Sequence, residues 1–472
     1  MAHGGEAVAR LPDGRAAFVA GGLPGETAPV RLTDEAARYA RGVLAALPVP
    51  ASAERVLAPR CPHFGAWPAR GAAGDRFCGG CQWQYVDYAA QLRYKRSILA
   101  DVLQRIGGLV DPPVAETLGM AEPWHYRNHV RLRMGREGWG FVAADHLHVA
   151  PIQVCHIAHP LVMQLMGLVD PAEWPAGTTL GLRAGIATGD QMIVLYCAAE
   201  AEDAPETLDA VEVDTAVSVV LVRMEAGDPG GSGGGARRSA DDARGDTRIA
   251  VGGARAGVRR SADDVGGDAR QAMADPDVLE PHEVALVAGR PYLVEAVAGR
   301  TFAIPPTGFF QANTAMVGEL VALVRAAIPA GTGSLGDLYS GVGVFAISLS
   351  DLAGEVYAIE EHPAAVAAAV ENAAGLGNVT LVEADAAEGL AYLEIRPDVV
   401  VVDPPRTGLD RAVVELLKER VRDTIVYVSC EPSTLARDLR QLTAAGWHLV
   451  SSQPVDMFPH TYHIESVNVL RR

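Results

Sequence analysis

Four of the six cysteines are spaced so that their thiols could share a metal ion or a metal cluster. Cys61, Cys78 and Cys81 lie in one short segment, and Cys155 follows 74 positions after Cys81. Six cysteines in 472 residues are too few for a disulfide scaffold, and spaced cysteines then indicate metal binding or catalysis. Thiolates are soft ligands that suit zinc or iron–sulfur clusters. The chain has one Cys-x-x-Cys pair where a structural zinc site often has two, so spacing alone leaves the metal open.

Cys430 and Glu465 have sequence neighbours that suggest nucleophilic and acid–base chemistry. Cys430 directly follows a predicted strand at residues 424–429 and precedes Pro432. That position favours an open site over the apolar surroundings usual for a free cysteine. Glu465 is flanked by apolar residues, which indicates a partly buried strand. Burial would raise the pKa of its carboxyl group and suit a general base, whereas an ion-paired surface glutamate is the alternative.

A glycine turn at residues 337–343 is typical of a nucleotide-type site. Gly341 and Gly343 allow the backbone to turn tightly and to approach a ligand closely. The next predicted strand ends in Glu360, where an acid can accept hydrogen bonds from ribose hydroxyls, and Asp385 after the third strand could meet an adenine edge. A third glycine and a Gly-Lys-Ser/Thr sequence are missing here. A ligand without phosphates, such as S-adenosylmethionine, therefore fits better than a dinucleotide.

Strands and helices alternate in the sequence after residue 305. This order predicts right-handed βαβ units and a parallel sheet that binds ligands at the carboxyl ends of its strands. The fold class of this region is therefore α/β. The predicted helix is residues 363–376, and the predicted strands are residues 334–339, 355–360, 379–383, 398–403 and 424–429.

Two further β-rich regions precede this α/β region. Short alternating runs broken by glycine and proline near the start predict a small β-barrel or hairpin set. A predicted helix at residues 88–106 leads into a middle domain with strands at residues 129–133, 180–186, 192–197 and 217–223. Residues 225–280, crowded with Gly, Ala, Asp and Arg, are expected to form a disordered insertion. We divide the chain into residues 1–50, 51–300 and 301–472.

The composition argues against several classes of protein. A net charge of −18 argues against bulk electrostatic binding of nucleic acid, and DNA is not an expected partner. The apolar runs are strand-sized and no signal sequence is visible, so we expect a cytoplasmic protein without a membrane span. Residues 60–140 carry a net positive charge, opposite in sign to that of the whole chain. Arg93 and Lys95, with Trp83 and Tyr85, could bind RNA phosphates and bases, or could simply form a helix face and core aromatics.

Five motifs, in this order, resemble those of the bacterial RNA uracil-C5 methyltransferases. They are Phe309-Phe310-Gln311-Ala312-Asn313, residues 337–343, Asp403-Pro404-Pro405-Arg406, Ser429-Cys430-Glu431-Pro432 and His463-Ile464-Glu465-Ser466-Val467. The segment with Cys61, Cys78 and Cys81 resembles the one that binds a four-iron cluster in many members. Residues 4–41 resemble their small RNA-binding TRAM domain. The resemblance covers most of the chain except residues 225–280.

This resemblance implies a fold, an activity and a set of site residues. The fold would be a Rossmann-like class I methyltransferase domain with a β-rich central domain and a small OB-like TRAM barrel. The activity would be transfer of a methyl group from S-adenosylmethionine to C5 of a uridine in structured RNA, with Cys430 adding to C6 and Glu465 removing the C5 proton. The implied cofactor contacts are Gln311, Tyr339, Val344, Glu360, Asp385 and Asp403. The implied ligands of a [4Fe–4S] cluster are Cys61, Cys78, Cys81 and Cys155.

Several alternatives stay open at this point. We expect 23S ribosomal RNA as the substrate, with transfer RNA as the nearer alternative. The rivals are a non-catalytic RNA-binding iron–sulfur protein and a small-molecule or adenine-N6 methyltransferase. Arg406 disfavours the adenine enzyme, because an aromatic residue usually follows the two prolines there.

The sequence departs from the family pattern at three points. Sixteen residues separate Cys61 from Cys78 where members more often have far fewer, and Glu431 replaces a common asparagine. The TRAM-like region begins almost at Met1, so we expect its first strand to be missing or to lie upstream.

Overall fold

A computed structural model describes residues 1–65, 67, 70, 76–198, 217–224, 248–251 and 281–472 of the chain. The first sheet has four strands in the order β1-β2-β4-β3. Its second strand alternates between buried and half-buried side chains, which places one face toward the interior. The strands are β1 (Ala7–Arg10), β2 (Ala16–Ala20), β3 (Val30–Glu35) and β4 (Tyr39–Leu44).

Helix α1 (Tyr88–Arg105) links the first sheet to the rest of the molecule. Asp87 caps it, because its carboxylate accepts hydrogen bonds from the backbone N–H groups of Ala89 and Ala90. Apolar residues three and four apart, among them Ile98 and Val102, are buried on one face of the helix. The predicted helix at residues 88–106 is thereby confirmed.

The central region is a seven-stranded sheet in the order β12-β10-β9-β8-β5-β6-β7. Helix α2 (Pro160–Met166) packs on β8 and β9. The four strands predicted here are confirmed with shifts of one or two residues at their ends. The strands are β5 (His129–Gly135), β6 (Gly138–Val142), β7 (Val149–Pro151), β8 (Thr179–Ala184), β9 (Gln191–Ala198), β10 (Val217–Met224) and β12 (Pro281–Ala288).

The expected disordered insertion at residues 225–280 lies outside the described residues, apart from one short strand. That strand, β11 (Arg248–Val251), pairs antiparallel with β17 (Val379–Glu383) at the edge of the C-terminal sheet. A two-stranded hairpin, β13 (Leu293–Val297) and β14 (Arg300–Ile304), follows the central sheet.

The C-terminal sheet has eight strands in the order β11-β17-β16-β15-β18-β19-β21-β20. Five neighbouring strands from β17 to β19 are parallel, as predicted, and β20 and β21 are antiparallel. The remaining strands are β15 (Thr332–Leu338), β16 (Ala353–Glu360), β18 (Val399–Val402), β19 (Thr424–Ser429), β20 (His448–Val455) and β21 (Glu465–Arg471). The helices are α3 (Thr314–Ala327), α4 (Val344–Ser348), α5 (Pro363–Asn372), α6 (Ala386–Tyr392), α7 (Arg411–Arg420) and α8 (Pro432–Ala444).

One hydrophobic core joins the central and C-terminal sheets. Met192 and Val220 from the central sheet are fully buried in the same cluster as Leu320 of α3 and Val401 of β18. Burial of so much apolar surface stabilises the two regions as one packed body, so the packing is continuous across the boundary expected near residue 300. None of the described helices is both long and apolar enough to cross a membrane.

Candidate active site

Neighbouring strands of the C-terminal sheet deliver the predicted site residues to one edge. The parallel strands β15, β18 and β19 lie side by side, and each is followed at once by one candidate: Tyr339, Asp403 and Cys430. Strand β21 runs antiparallel beside β19 and begins with Glu465. On the other side of β15, strand β16 ends in Glu360. The carboxyl edge of the parallel sheet therefore gathers these five residues, as the βαβ pattern predicts.

The strand register sets Cys430 opposite Glu465. The last paired residues of β19 and β21 are Ser429 and Ser466. In an antiparallel pair the next step along one strand meets the preceding residue of the other, which is Cys430 against Glu465. The proposed nucleophile and the proposed base thus face each other although 34 residues separate them in the sequence.

Burial disfavours the charged forms of both of these groups in the free protein. Burial, and then the nearby Glu465 and Asp403, raise the pKa of the Cys430 thiol to about 12. Glu465 is 2% exposed, and burial followed by the charge of Asp403 raises the pKa of its carboxyl group well above the usual value. Arg406 opposes both shifts. The Glu465 Oε1 atom has no hydrogen-bond partner among the described residues.

Asp403 and Gln311 meet between the pair Cys430 and Glu465 and the glycine turn. The Gln311 Nε2 atom donates to the Asp403 Oδ2 atom at 3.2 Å. Asn128 of the central region donates to the Gln311 backbone oxygen at 2.9 Å, which fixes that segment. Burial raises the pKa of Asp403 to about 7, and the hydrogen bond from Gln311 opposes the shift. Asp403 can therefore exchange a proton near neutral pH.

The glycine turn after β15 is held in an unusual backbone conformation. Tyr339 has a φ of 63°, in the left-handed region that is uncommon for residues other than glycine. Gly341 and Gly343 also have positive φ angles, of 55° and 88°. The carboxylate of Glu360 accepts hydrogen bonds from the backbone N–H groups of Gly341 at 2.9 Å and His362 at 2.8 Å. The predicted ribose-binding acid thus also stabilises the turn.

Asp337, beneath the turn, is an acid that sequence reasoning did not assign to the site. It is fully buried, and its Oδ2 atom accepts a hydrogen bond from the Ala346 backbone at 2.8 Å. Its Oδ1 atom and the Ser340 hydroxyl have no partner among the described residues. Burial raises the pKa of Asp337 to about 8, and the charges of Asp403 and Glu360 add to the shift. Orphaned polar atoms beside an open glycine turn fit a polar, cationic ligand.

Asp385 and Val344 lie farther along the same edge. Asp385 caps helix α6, and its Oδ1 atom accepts hydrogen bonds from the Ala387 and Glu388 backbones at 2.8 and 2.9 Å. Val344 is half-buried and begins α4 immediately after the turn. Asp385 lies between a strand and a helix, and there it has a structural role as the N-cap of the helix.

The four cysteines singled out in the sequence line one cavity. Cys61, Cys78, Cys81 and Cys155 surround about 510 Å³ of empty space, counting the part open to solvent, together with apolar side chains. Burial raises the pKa of Cys78 to about 11, and it also raises the pKa of Cys81 and Cys155. Among the described residues, no three or more His, Cys, Asp or Glu side chains are arranged to hold a single metal ion.

The long gap between Cys61 and Cys78 contains a buried arginine that binds the backbone of residues lining this cavity. Arg70 is 7% exposed and donates to the backbone oxygens of Phe64, Cys78 at 3.0 Å and Cys81 at 2.8 Å. Its charge opposes the rise in the pKa of Cys78. Cys61 lines the cavity despite the unusual spacing, and half of the intervening loop lies outside the described residues.

Comparison with known proteins decides the family. The family described as tRNA (uracil-5-)-methyltransferase matches residues 286–472, and the TRAM domain matches residues 2–45. An uncharacterised RNA methyltransferase of Thermosynechococcus vestitus is 34% identical over 100% of this chain and 96% of its own length. Another from Gloeobacter violaceus is 31% identical over 100% and 95%. The chain belongs to the S-adenosylmethionine-dependent RNA (uracil-5-)-methyltransferase family.

A solved structure has the same overall fold as this methyltransferase. The tRNA (uracil-54, C5)-methyltransferase of Pyrococcus abyssi, crystallised with S-adenosyl-L-homocysteine, superposes with a TM-score of 0.64. The match covers 98% of this chain and 99% of that one, at 22% identity. The Rossmann-like C-terminal domain and the β-rich N-terminal regions predicted from the sequence are thereby confirmed.

Three residues at the site of this methyltransferase escaped the sequence-based assignment. All three lie inside the five motifs, and the almost wholly buried strand that ends just after Asp337 could have indicated a buried acid. His463 is half-buried, and burial followed by the charge of Arg406 lowers the pKa of its imidazole to about 3. The fifth motif includes this histidine, but its local sequence does not signal its burial, because its surroundings come from distant parts of the chain.

Among the proposed RNA-contacting residues of the basic segment 60–140, some are buried in the structure and others are exposed. Lys95 is 0% exposed and forms an ion pair with Asp456 at 2.6 Å, and Trp83 and Tyr85 are buried. For these three residues the core interpretation is correct. Arg93 is exposed and is paired with Glu54.

Proposed function

We propose that this protein methylates C5 of a uridine in structured RNA through a covalent adduct between Cys430 and C6. The observation that carries the proposal is the register that sets Cys430 opposite Glu465, beside Asp403, at the edge where the glycine turn also lies. The C5 carbon of uracil is a weak nucleophile. A thiolate that adds to C6 converts the ring into an enolate, which is nucleophilic at C5.

The proposed reaction then needs a methyl donor and a base. S-adenosylmethionine supplies an electrophilic methyl group on a sulfonium; C5 attacks this methyl group, the S–CH3 bond breaks, and neutral S-adenosylhomocysteine leaves. Glu465 as carboxylate removes the C5 proton, the C5–C6 double bond forms again, and the Cys430 sulfur leaves as thiolate. The thiol proton that leaves at the start returns at the end. The net reaction therefore releases the C5 proton.

The donor would bind where the buried and half-buried acids of the carboxyl edge lie. The Glu360 carboxylate at the turn would accept hydrogen bonds from the ribose, and Asp337 and Asp403 would face the cationic part of the donor. Gln311 and Tyr339 would contact the methionine or adenosine portion, Val344 would pack against it, and Asp385 would lie near the adenine. Binding of a cation next to these acids favours their ionised forms.

The cysteine cavity is the proposed site of a [4Fe–4S] cluster. Its four thiols match the number of cysteine ligands that such a cluster takes. Arg70 nearby would offset part of the negative charge of the thiolates. When present, the cluster would be structural, because the proposed methyl transfer includes no electron transfer.

Ribosomal RNA is the proposed substrate, and transfer RNA is the second candidate. The family description and the Pyrococcus abyssi relative both name transfer RNA, which supports testing the two side by side. In either RNA the uridine must leave its stack to reach Cys430, so a loop or bulge is the expected target. The proposed site of action is the cytoplasm.

Tritium release tests this proposal. Ribosomal and transfer RNA transcripts made with 5-tritiated uridine are incubated separately with the protein, with and without S-adenosylmethionine. Release that requires the donor supports C5 chemistry and ranks the two substrates. Donor binding without release from either RNA contradicts the proposal and favours the adenine or non-catalytic rivals.

A further inference from the structure

The segment that leads into Glu465 is held by residues far away in the sequence. Residues 456–464, which we call the base loop, connect β20 to β21. The backbone oxygen of His460 accepts two hydrogen bonds, from the Gln82 N–H at 3.1 Å and the Trp83 N–H at 2.8 Å. These two donors come directly after Cys81. The base loop is thus attached to the turn that carries one of the cavity cysteines.

Gln91 of α1 ties the same turn and the same loop together. Its side chain is fully buried, and its Oε1 atom accepts a hydrogen bond from the His460 N–H at 2.9 Å. Its Nε2 atom lies 3.2 Å from the His460 Nδ1 atom and donates to the backbone oxygens of Trp83 at 3.2 Å and Val86 at 2.9 Å. A single amide group therefore bonds to both the turn after Cys81 and the base loop.

The conformation of His460 needs such support. Its φ of 66° lies in the left-handed region, which is unfavourable for a residue with a side chain. Its ring stacks on Trp124, with centroids 3.7 Å apart and planes 24° apart. The Tyr126 hydroxyl donates to the Pro459 backbone oxygen at 3.0 Å. The loop conformation is thus imposed from outside the loop.

Glu465 has little side-chain support of its own. One of its carboxyl oxygens has no hydrogen-bond partner among the described residues, and Glu465 is the first residue of its strand. The backbone of Glu465 pairs with Val455 of β20, and the base loop joins these two residues, so the direction of the Glu465 carboxyl group depends on this loop as well as on the strand pairing. A shift of this loop would move Glu465, whereas Cys430 is fixed separately by β19 and α8.

We propose that Gln91 and the Gln82–Trp83 turn behind Cys81 are positioning elements for the proton-abstraction step. This inference rests on the proposed function. In the methylated intermediate, the Cys430 sulfur is bonded to C6, and C5 carries both a methyl group and a hydrogen. The Glu465 carboxylate takes that proton, the C–H electron pair forms the C5–C6 double bond, and the S–C6 pair returns to sulfur. A misplaced Glu465 delays this elimination, and the adduct persists.

The alternative is that these contacts only stabilise the fold. In that case, loss of Gln91 would lower the amount of active protein, and every step would decline together. Positioning predicts instead that methyl transfer continues while release slows. The two roles therefore differ in the ratio of trapped adduct to released tritium, a readout that stability alone does not change.

Two variants test the proposal on the full-length protein. Gln91→Met approximately conserves volume and removes the amide. Tyr126→Phe removes the hydroxyl that donates a hydrogen bond to Pro459 of the base loop. The control is Asn378→Leu, which removes two hydrogen bonds from a side-chain amide to the backbone oxygens of Ser350 and Ala353, away from the site. RNA adduct that survives denaturing gels and carries a labelled methyl group is measured beside tritium release.

The expected result is a change in the partition, which is the ratio of tritium released to covalent adduct formed. For Gln91→Met, tritium release per adduct formed falls about tenfold, because small displacements of a catalytic group are costly. For Tyr126→Phe it falls about threefold, in keeping with one lost hydrogen bond. Asn378→Leu keeps the wild-type partition.

Unchanged partition in Tyr126→Phe overturns the proposal, whether or not Gln91→Met folds. A uniform loss of adduct and release in Gln91→Met overturns it as well, because that is the result of a purely structural role. Failure of the proposed function is distinguishable, since the wild-type protein would then release no tritium at all.

Discussion

At the residue scale, the site is a group of buried acids that lie close together, and the charge of one raises the pKa of another. Burial raises the pKa of Asp337 to about 8 and that of Asp403 to about 7, and it raises the pKa of Glu465 as well. A cationic donor bound beside these acids would shift them toward their charged forms, including the base that the reaction needs. Donor binding and activation of the base are then linked by electrostatics.

This linkage predicts that S-adenosylmethionine binds more weakly in acid. The pKa values of Asp337 and Asp403 are raised in the free protein, so both groups hold protons below about pH 7, and a cation must displace them. The dissociation constant should therefore rise from pH 8.5 to pH 6, by up to about tenfold per pH unit for each proton released. Calorimetry across this range measures it. Asp403→Asn should flatten the dependence, and an affinity that is constant with pH would contradict the account.

Replacing the base should stop the reaction after methyl transfer. In Glu465→Gln the carboxylate is lost, so tritium release should fall by about 100-fold or more. The methylated RNA should stay attached to Cys430 on denaturing gels. Glu383→Gln, at the exposed end of β17, is the matched control and should behave as wild type. Normal release from Glu465→Gln would assign the proton transfer to another group.

At the element scale, the unusual Glu431 has a structural explanation. It caps helix α8, accepts hydrogen bonds from the Ser433 N–H and hydroxyl, and forms an ion pair with His3 at 2.9 Å. Burial alone would raise its pKa, but the bonds from His3 and Ser433 lower the pKa of Glu431 to about 2. The residue after the nucleophile thus connects the first residues of the chain to the catalytic sheet.

This contact predicts a pH-dependent contribution to stability. Because the pKa of Glu431 in the folded protein is about 2, below its ordinary value, its contribution is present above about pH 4.5 and is lost as the pH falls toward 2. Glu431→Gln should lower the free energy of unfolding by about 1 kcal/mol at pH 6. The difference from wild type should shrink by pH 3, as measured by urea unfolding. Glu415→Gln, an exposed residue paired with Lys418, is the control.

Local patterns in the sequence predicted the catalytic sheet well. Strands β17 and β19 have the predicted ends, and alternation of strands with helices placed Asp403 and Cys430 at the correct edge. The strand before the glycine turn ends one residue earlier than predicted, because Tyr339 adopts a left-handed conformation that no local pattern signals. Asp385 serves as a helix cap, a role that the sequence permitted but did not distinguish from ligand contact.

Contacts between residues far apart in the chain could not be predicted from the sequence. Lys95 pairs with Asp456 across 361 positions, so its place in a basic window gave no sign that it is buried. The facing of Cys430 and Glu465 rests on antiparallel pairing of β19 with β21, which the motifs alone do not specify. The same holds for Gln91 and His460, 369 positions apart.

At the scale of the whole molecule, the three regions form one packed unit around the site. The central sheet shares its core with the catalytic sheet, His3 contacts α8, and the turn behind Cys81 contacts the base loop. The cysteine cavity is therefore joined to the site through backbone contacts. Loss of the group that the cysteines bind should therefore affect the residues at the carboxyl edge of the parallel sheet.

The metal content tests the cysteine cavity directly. Protein purified without oxygen should carry about four iron atoms per chain with visible absorption, and Cys81→Ser should lose both. Cys197→Ser is the control, because Cys197 is buried in the central sheet and does not line the cavity. One zinc per chain, or no metal in protein that methylates RNA at the normal rate, would contradict the cluster.

The covalent adduct at Cys430 is the central claim, and RNA containing 5-fluorouridine tests it most directly. Fluorine at C5 cannot be removed as a proton, so the methylated adduct cannot eliminate and should accumulate. With S-adenosylmethionine present, peptide mapping by mass spectrometry should find the RNA fragment attached to Cys430, and Cys430→Ala should give none while it still binds the donor. An adduct on another residue, or methylated uridine produced by Cys430→Ala, would contradict the account.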